Sequence, residues 1–234
     1  MELDAGPDHI LRELNNIAET YDKTSRIFTL CLENRFRAEA ASAAKPGRIL
    51  DVGSGSGSMV KHVKKLYRDS YIVALEPLPR FLKILSRLNI DPGIDIVQGY
   101  IEYAPFRQDA FDTVIAGFML RDVMSLSRAI ASMIHMSRRR IVILDFWRPS
   151  SLLLLLVEVI YIAAVMPLVA AAAPRHFKHH LVIVETLLRV PPLEKFIHML
   201  SKVGSLRIRC WALCIVFNIV VELPTRGSDL IAVN

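Results

Sequence analysis

The sequence predicts an α/β fold, built on one mostly parallel, seven-stranded sheet with an antiparallel edge. Three features of the chain predict it. Short apolar runs alternate with helical patterns between residues 48 and 146, a glycine-rich loop joins the first run to the first helix, and two apolar runs follow each other directly near the end. Such alternation gives right-handed crossover units in a parallel sheet, whereas adjacent runs pair antiparallel.

Length and composition allow one domain and favour anionic partners. The 234 residues are enough for a single α/β domain. Hydrophobic residues make up 53% and the mean hydropathy is +0.36, so either the core is unusually rich or some apolar surface meets lipid. Lysine and arginine exceed aspartate and glutamate by 29 − 23 = +6, which suits nucleotide cofactors, nucleic acid or an acidic membrane face.

Cysteine usage indicates a reducing compartment. Only Cys31, Cys210 and Cys214 occur, without a C-x-x-C pair, and the polar start of the chain has no signal-peptide pattern. We therefore expect a cytoplasmic protein. Cys210 and Cys214 share one face of an apparent strand and are expected to be structural.

The first 45 residues are predicted to form a helical cap. Apolar side chains recur at helical spacing from Ile10 to Ile17 and again from Ile27 to Leu32, before Lys45-Pro46-Gly47 ends the pattern. One or two amphipathic helices are expected to precede the core.

Residues 46–147 are predicted to form the cofactor-binding core. Five apolar runs are expected to be strands, with amphipathic helices between them. The strands are Arg48–Val52, Tyr71–Leu75, Ile94–Val97, Phe111–Ala116 and Arg140–Phe146, and the helices are Met59–Tyr67, Phe81–Leu88 and Leu126–Met136.

The end of the chain departs from this alternation. Residues 148–190 are expected to form an apolar lid insertion, and residues 191–234 a C-terminal helix and edge strands. The helix is predicted over Leu193–Val203, and the runs Leu206–Ala212 and Leu213–Glu222 leave no room for a crossover between them.

A glycine loop follows the first predicted strand, in the segment Asp51–Ser58. Its glycines fall at Gly53, Gly55 and Gly57, which does not match the G-x-G-x-x-G pattern of dinucleotide sites. A loop of this kind lets backbone approach a ligand at the carboxyl end of the sheet, and the Asp51 carboxylate suits a ligand with an ammonium group. Ser54 is a further candidate cofactor contact in this loop. The alternative for the whole segment is a tight strand-to-helix junction capped by a serine.

Further candidate cofactor residues follow the next strands. Glu76 ends the second strand, where a carboxylate can accept hydrogen bonds from both ribose hydroxyls of an adenosine. A ribose site without a phosphate loop points to S-adenosyl-L-methionine. The segment after the third strand is expected to lie over the adenine, and the remaining candidate contacts are Pro77, Gly99, Tyr100, Ile101 and Gly117.

At these residues the chain resembles the class I methyltransferases, and within them the ubiquinone/menaquinone-biosynthesis C-methyltransferases. The resemblance spans about Ile17 to Val221. It is carried by Ala18-Glu19-Thr20-Tyr21-Asp22, Ile49–Gly57, Gly99–Phe106 with Phe111–Val114, and Gly117-Phe118-Met119-Leu120-Arg121-Asp122-Val123. It implies a single Rossmann-like class I methyltransferase domain over residues 1–234. Two positions depart from the pattern: Tyr100 replaces an aspartate and Asp122 an asparagine.

The resemblance implies that Tyr21, Arg121 and Asp122 are catalytic. Methylating a ring carbon needs a phenolic proton to leave, which a nearby base assists. Because arginine stays protonated, we assign Arg121 to phenolate stabilisation and Asp122 to proton removal. The alternatives are an ordinary helix-capping aspartate, a surface arginine and a packed core tyrosine. His179 and His180 have no carboxylate or cysteine at ligand spacing, so no metal is predicted.

An apolar stretch from Leu152 to Ala173 contains one charge, Glu158, and one proline, Pro167. Its length would span a bilayer, but a span there would separate the last strands from their sheet. The other interpretations are a lid helix broken near Pro167 and a lid that also dips into the membrane interface, with Arg175 and Lys178 near anionic headgroups. The resembling family has substrate-covering helices here and substrates with isoprenoid tails.

The sequence therefore predicts a methyltransferase for a lipophilic quinol or phenol, held peripherally at the inner face of the membrane. The alternatives are a methyltransferase for another lipid or small molecule, and a non-catalytic membrane-associated protein that binds the cofactor. Nucleic acid is disfavoured as a partner because the chain has no basic-aromatic stripe or appended binding module. The sequence fixes no oligomeric state.

Overall fold

The computed structural model describes residues 7–87, 92–147, 151–189, 193–211 and 215–224. These residues contain one seven-stranded sheet. Its strands are β1 Arg48–Val52, β2 Tyr71–Glu76, β3 Ile94–Gln98, β4 Phe111–Gly117, β5 Ser137–Phe146, β6 Ser205–Trp211 and β7 Val216–Glu222.

The strand order is β3-β2-β1-β4-β5-β7-β6. Strands β1 to β5 pair in parallel, while β7 pairs antiparallel with both β5 and β6. The chain therefore reverses its direction of strand addition between β1 and β4. In open sheets of this kind, ligands bind at the carboxyl ends of the strands on either side of that reversal.

Eight α-helices accompany the sheet in the described residues. They are α1 Pro7–Phe28, α2 Glu33–Ser42, α3 Ser58–Leu66, α4 Pro79–Leu85, α5 Leu126–Met136, α6 Leu152–Ala172, α7 Phe177–Arg189 and α8 Leu193–Ser201. Two short 3₁₀ turns, Ile101–Tyr103 and Leu120–Asp122, follow β3 and β4.

The core lies on both faces of the sheet. Ile49 and Leu50, which are adjacent in β1 and fully buried, point to opposite faces because side chains alternate along a strand. One apolar layer packs the sheet against α1 to α4, with α6 and α7 outside them, and the other packs it against α5 and α8. Burial on both faces explains why the central strands are almost continuously apolar.

The predicted fold class is confirmed, including the seven strands, the antiparallel edge and the N-terminal helices. Strand β5 begins at Ser137 rather than Arg140, directly after α5. Three residues of the predictions lie outside the described residues: Leu88 at an expected helix end, Arg148 just before the apolar stretch Leu152–Ala173, and Cys214 at the start of the last predicted strand.

The apolar stretch forms α6, which is not broken at Pro167. A proline removes one backbone hydrogen bond from a helix, and here it does so on the exposed face. By length and composition α6 is the one helix in the described ranges that could cross a membrane, a test that a soluble protein's core helix can also pass. Much of it is exposed, however, with Leu152 at 83% and Leu153 at 70%.

Candidate active site

A cleft lies at the carboxyl ends of β1, β2 and β4, and its empty space is about 810 Å³ when the open solvent at its mouth is included. This is the point where the order of the strands reverses. Its wall combines the glycine loop after β1, the end of β2, the loop after β3 and the segment after β4, and α1 and α2 close it from above. The sheet topology therefore gathers segments that are far apart in sequence.

The three glycines of the loop have left-handed backbone, and two of them lie in the wall of the cleft. Gly53 has φ +62° and Gly55 has φ +56°, in the left-handed region that other residues adopt at a cost. A Cβ at Gly53 would also lie 2.8 Å from Cβ of Met119. The Gly53 amide donates to the Leu75 carbonyl at 2.8 Å, which fixes the loop against the end of β2.

Glu76 braces the same loop. Its side chain is 3% exposed, Oε2 accepts the Gly55 amide at 2.8 Å, and Oε1 accepts the Leu78 amide at 2.9 Å. Burial raises the pKa of Glu76 to about 7, against the effect of those two amides. Since each carboxylate oxygen can accept two hydrogen bonds, both oxygens can still accept a ligand hydroxyl.

Asp51 lies behind the loop rather than in the wall of the cleft. It is 1% exposed, and its Oδ2 is buried without a hydrogen-bond partner. Burial raises the pKa of Asp51 to about 7, although Ser54 and the charge of Arg37 act in the opposite direction. A buried carboxylate with an unused oxygen is ready to interact with a cationic ligand group through the loop.

Arg37 is a buried cation in the wall of the cleft, and the sequence analysis missed it. Its Nε has no hydrogen-bond partner, and its guanidinium carbon lies 5.0 Å from the centre of the Phe118 ring. No carboxylate forms an ion pair with it in the described part of the chain. A buried, unpaired guanidinium is suited to an anionic ligand group such as a carboxylate.

Tyr21 and Asp122 also lie in the wall of the cleft. Oδ1 of Asp122 is buried and accepts no hydrogen bond. Burial raises the pKa of Asp122 to about 6, although the charge of Arg121 lowers it. Burial likewise raises the pKa of Tyr21, so that its hydroxyl is neutral at physiological pH and able to donate a hydrogen bond.

Arg121 stands behind Asp122 and is not in the wall of the cleft. Its Nη1 lies 2.6 Å from Oδ1 of Asp145, and its Nε lies 3.7 Å from Oδ1 of Asp122. Burial lowers the pKa of Arg121, but the two carboxylates raise it by more, so the guanidinium stays charged. Asp145 also accepts the Leu120 amide at 2.9 Å, which locks the arginine and the turn together.

Most of the predicted site residues meet in this cleft. Its wall contains Tyr21, Gly53, Ser54, Gly55, Glu76, Pro77, Gly99, Tyr100, Ile101, Gly117 and Asp122. Asp51, Arg121 and Gly57 lie just behind it, the last as the left-handed residue that begins α3. In the described ranges no three metal-ligating side chains come together.

Three residues of the site were not predicted, although each has a recognisable feature in the sequence. Arg37 falls on the same helical face as Phe36 and Ala40, where a charge is unexpected. Asp145 is the one charge in the apolar end of β5. Asp22 is the last residue of the segment Ala18-Glu19-Thr20-Tyr21-Asp22, and its Oδ1 accepts a hydrogen bond from the Ser56 hydroxyl at 2.8 Å, which ties α1 to the glycine loop.

Comparison with known proteins identifies related sequences. A family model described as "Methyltransferase domain" matches residues 50–140. The demethylmenaquinone methyltransferase of Renibacterium salmoninarum is 25% identical over 207 residues, covering 86% of each chain. A ubiquinone/menaquinone biosynthesis C-methyltransferase of Pseudomonas paraeruginosa is 27% identical over 184 residues, covering 76% of this chain and 72% of its own.

Solved structures share the fold at low sequence identity. The plantazolicin methyltransferase BpumL, in complex with a monoazolic desmethylPZN analog and SAH, has a TM-score of 0.65 and 12% identity, covering 93% of this chain and 95% of its own. A Thermotoga maritima SAM-dependent methyltransferase, described as a possible histamine N-methyltransferase, has a TM-score of 0.64 and 14% identity, covering 91% and 99%.

Proposed function

We propose that this protein, a class I S-adenosylmethionine-dependent methyltransferase, transfers its methyl group to a ring carbon of a lipophilic quinol or phenol. The observation that carries the proposal is the buried carboxylate of Asp122, which has an unused oxygen in the wall of the cofactor cleft. The similarity to enzymes named demethylmenaquinone methyltransferase supports the same substrate class. All of residues 1–234 are taken to form one catalytic domain, with α6 and α7 as its lid.

The residues of the cleft fit S-adenosyl-L-methionine. Glu76 would accept the ribose hydroxyls, the loop after β3 with Gly99, Tyr100 and Ile101 would contact the adenine, and the glycine loop with Asp51 behind it would hold the amino-acid ammonium group. The unpaired Arg37 would bind the amino-acid carboxylate. When bound, the cofactor supplies an electrophilic methyl group on a sulfonium, and the protein chiefly has to place the acceptor in line with it.

Replacing Arg37 with glutamine tests the carboxylate assignment. Loss of one charge-assisted interaction is worth about 1.5 to 3 kcal/mol, so we expect affinity for S-adenosylhomocysteine to fall about 10- to 150-fold. Adenosine, which has no carboxylate, should bind the variant and the wild type equally. Calorimetric titration of both ligands checks this, and an equal loss for adenosine would show that Arg37 only supports the fold of the cleft.

Asp122, Tyr21 and Arg121 would supply the acid-base chemistry. A phenolic hydroxyl would give its proton to Asp122, whose pKa of about 6 suits a base at neutral pH. The phenolate would make a neighbouring ring carbon nucleophilic towards the methyl group that the cofactor would supply. After the transfer the ring proton would leave to water and the proton on Asp122 would return to the phenolic oxygen, which restores the aromatic phenol. Neutral Tyr21 would donate a hydrogen bond to a substrate oxygen. From its position behind Asp122, the Arg121 guanidinium would stabilise the negative charge of the phenolate.

Methyl transfer to demethylmenaquinol, reduced in situ, tests the proposal. We expect turnover that produces S-adenosylhomocysteine in proportion to methylated quinol. Turnover on other small phenols but not on quinols would support the runner-up, a methyltransferase for another lipid or small molecule. Cofactor binding without turnover on any acceptor would favour a non-catalytic protein, an outcome consistent with the departures at Tyr100 and Asp122.

We also propose that α6 holds the protein peripherally at the inner face of the membrane, in the cytoplasm. All its exposed positions carry apolar residues, namely Leu152, Leu153, Leu156, Val159, Ile160, Ala163, Ala164, Pro167, Leu168 and Ala171. At 1.5 Å per residue this face is about 30 Å long. Exposed Arg175 and Lys178 follow it, which favours a surface with anionic headgroups as the partner.

Leu156→Glu with Ile160→Glu tests the membrane contact. Both side chains are more than half exposed, so the change should leave the fold intact. We expect binding to phosphatidylglycerol-containing vesicles to weaken at least tenfold, because two buried apolar contacts become charges. Leu32→Glu with Leu66→Glu, which changes the charge equally on another surface, should bind like the wild type. Unchanged sedimentation with vesicles, or a dimer that the α6 variant dissociates, would contradict the proposal.

A further inference from the structure

We propose that Thr186, on the lid helix α7, positions the Asp122 carboxylate in the wall of the cleft. The inference rests on the proposed function, in which Asp122 is the proton acceptor. Thr186 is fully buried, and its side chain hydrogen-bonds to Asp122. Thr186 is thus a positioning residue, separated from the turn containing Asp122 by more than sixty residues of chain.

Helix α7 is held rigidly enough to place that hydroxyl. It packs along α1 and also contacts the turn Leu120–Asp122. His180 is fully buried, with Nε2 3.2 Å from Oγ1 of Thr20 and Nδ1 3.4 Å from Oγ1 of Thr24. Burial lowers the pKa of His180 to about 4, so the ring is neutral and can donate through one nitrogen while accepting through the other. A second contact joins His179 to Glu13 of α1.

Few of the described groups are placed to orient the Asp122 carboxylate. Tyr21 faces it from α1, Arg121 from its own turn, Asp145 from β5 and Thr186 from α7. The guanidinium of Arg121 is turned towards Asp145, with Nη1 2.6 Å from Oδ1 of that residue. Its Nε lies 3.7 Å from Oδ1 of Asp122, which is too far for a hydrogen bond. Among the described residues the hydroxyl of Thr186 is therefore the directional contact on Asp122, while Oδ1 accepts no hydrogen bond and is available to a substrate.

This arrangement makes the lid part of the acid-base site. A carboxylate with one fixed contact presents its unused oxygen in one direction, whereas an unrestrained carboxylate rotates. The same hydrogen bond favours the ionised carboxylate, so its loss would leave Asp122 harder to deprotonate. Loss of the Thr186 hydroxyl is therefore expected to change the titration of Asp122, which a loss of packing alone would not do.

The test compares Thr186→Val, which keeps the shape of the side chain, with Thr186→Ser, which keeps the hydroxyl. In the valine variant we expect the acidic limb of kcat/KM for demethylmenaquinol to move up by about one pH unit, with affinity for S-adenosylhomocysteine unchanged. Serine should restore the wild-type limb. Thr24→Val, at the same helix interface but bonded to His180 rather than Asp122, should lower thermal stability without moving the limb.

A second readout needs no turnover. The ¹³C signal of the Asp122 carboxyl, assigned by its absence in Asp122→Asn, should titrate near pH 6 in the wild type and about one unit higher in Thr186→Val. If no quinol is methylated but the signal shifts in this way, the proposed function fails and the positioning role stands. If the wild type methylates quinols, and both the acidic limb of kcat/KM and the Asp122 carboxyl signal of Thr186→Val match those of the wild type, the positioning role is overturned.

Discussion

Replacing Asp122 with asparagine is expected to slow methyl transfer to a quinol by about 10²- to 10⁴-fold, the range for losing a positioned general base. An amide has nearly the same shape but cannot take the phenolic proton. Affinity for S-adenosylhomocysteine should be unchanged, because the proposed role of Asp122 is towards the acceptor, whereas Glu76 and the glycine loop are proposed to hold the cofactor. Steady-state kinetics with a calorimetric titration of the product would measure both quantities.

Asp69→Asn, which makes the same change at an exposed residue, is the control and should behave like the wild type. The resembling family has asparagine at the position of Asp122, so the opposite result has a clear meaning. If Asp122→Asn is as fast as the wild type, the phenolic proton leaves by another route and Asp122 is not the base.

Glu76→Ala is expected to weaken binding of S-adenosylmethionine and S-adenosylhomocysteine by about 1.5 to 3 kcal/mol, as for lost hydrogen bonds to a charged acceptor. Glu76 would bind the ribose and also holds the amides of Gly55 and Leu78. Glu76→Gln has a similar shape and separates the charge from the volume of the side chain. Binding of either ligand to the alanine variant with wild-type affinity would rule out a ribose-binding role for Glu76.

The pKa of Glu76 also predicts how cofactor affinity depends on pH. The folded-state pKa of Glu76 is raised to about 7, and hydroxyl donors prefer the ionised form. Binding should therefore release a proton, and affinity should rise between about pH 6 and 8. In Glu76→Gln this slope should decrease but not vanish, because the pKa of Asp51 is also about 7. Calorimetry in buffers of different ionisation enthalpy counts the protons released.

The fold and the cofactor half of the site could be predicted because their signals are local in sequence. Strand patterns fixed β1 to β4 within a residue or two, and a parallel sheet necessarily brings the residues after β1, β2 and β4 to one edge. Glu76 and the glycine loop were found in this way. Helix α7 was not predicted as an element, since nothing in its sequence marked it off from the lid.

The acceptor half of the site depends on tertiary contacts. The sequence analysis placed Arg121 in the site, but its side chain turns towards Asp145. That direction depends on where the pairing of β5 with β4 places Asp145 relative to the turn after β4. Arg37 interrupts the apolar face of α2, but its place in the wall of the cleft is seen only once α2 is packed over the cleft. Thr186 has no motif at all, and its importance appears only once α7 contacts the turn that carries Asp122.

The position of the transferred methyl group tests the central claim most directly. The wild type would be incubated with ¹³C-methyl S-adenosylmethionine and reduced demethylmenaquinone, and the product analysed by NMR. If Asp122 makes a ring carbon nucleophilic by taking the phenolic proton, the label will be attached to carbon and both phenolic oxygens will remain unmethylated. A label on oxygen would contradict this account, since the deprotonated oxygen would then itself be the nucleophile.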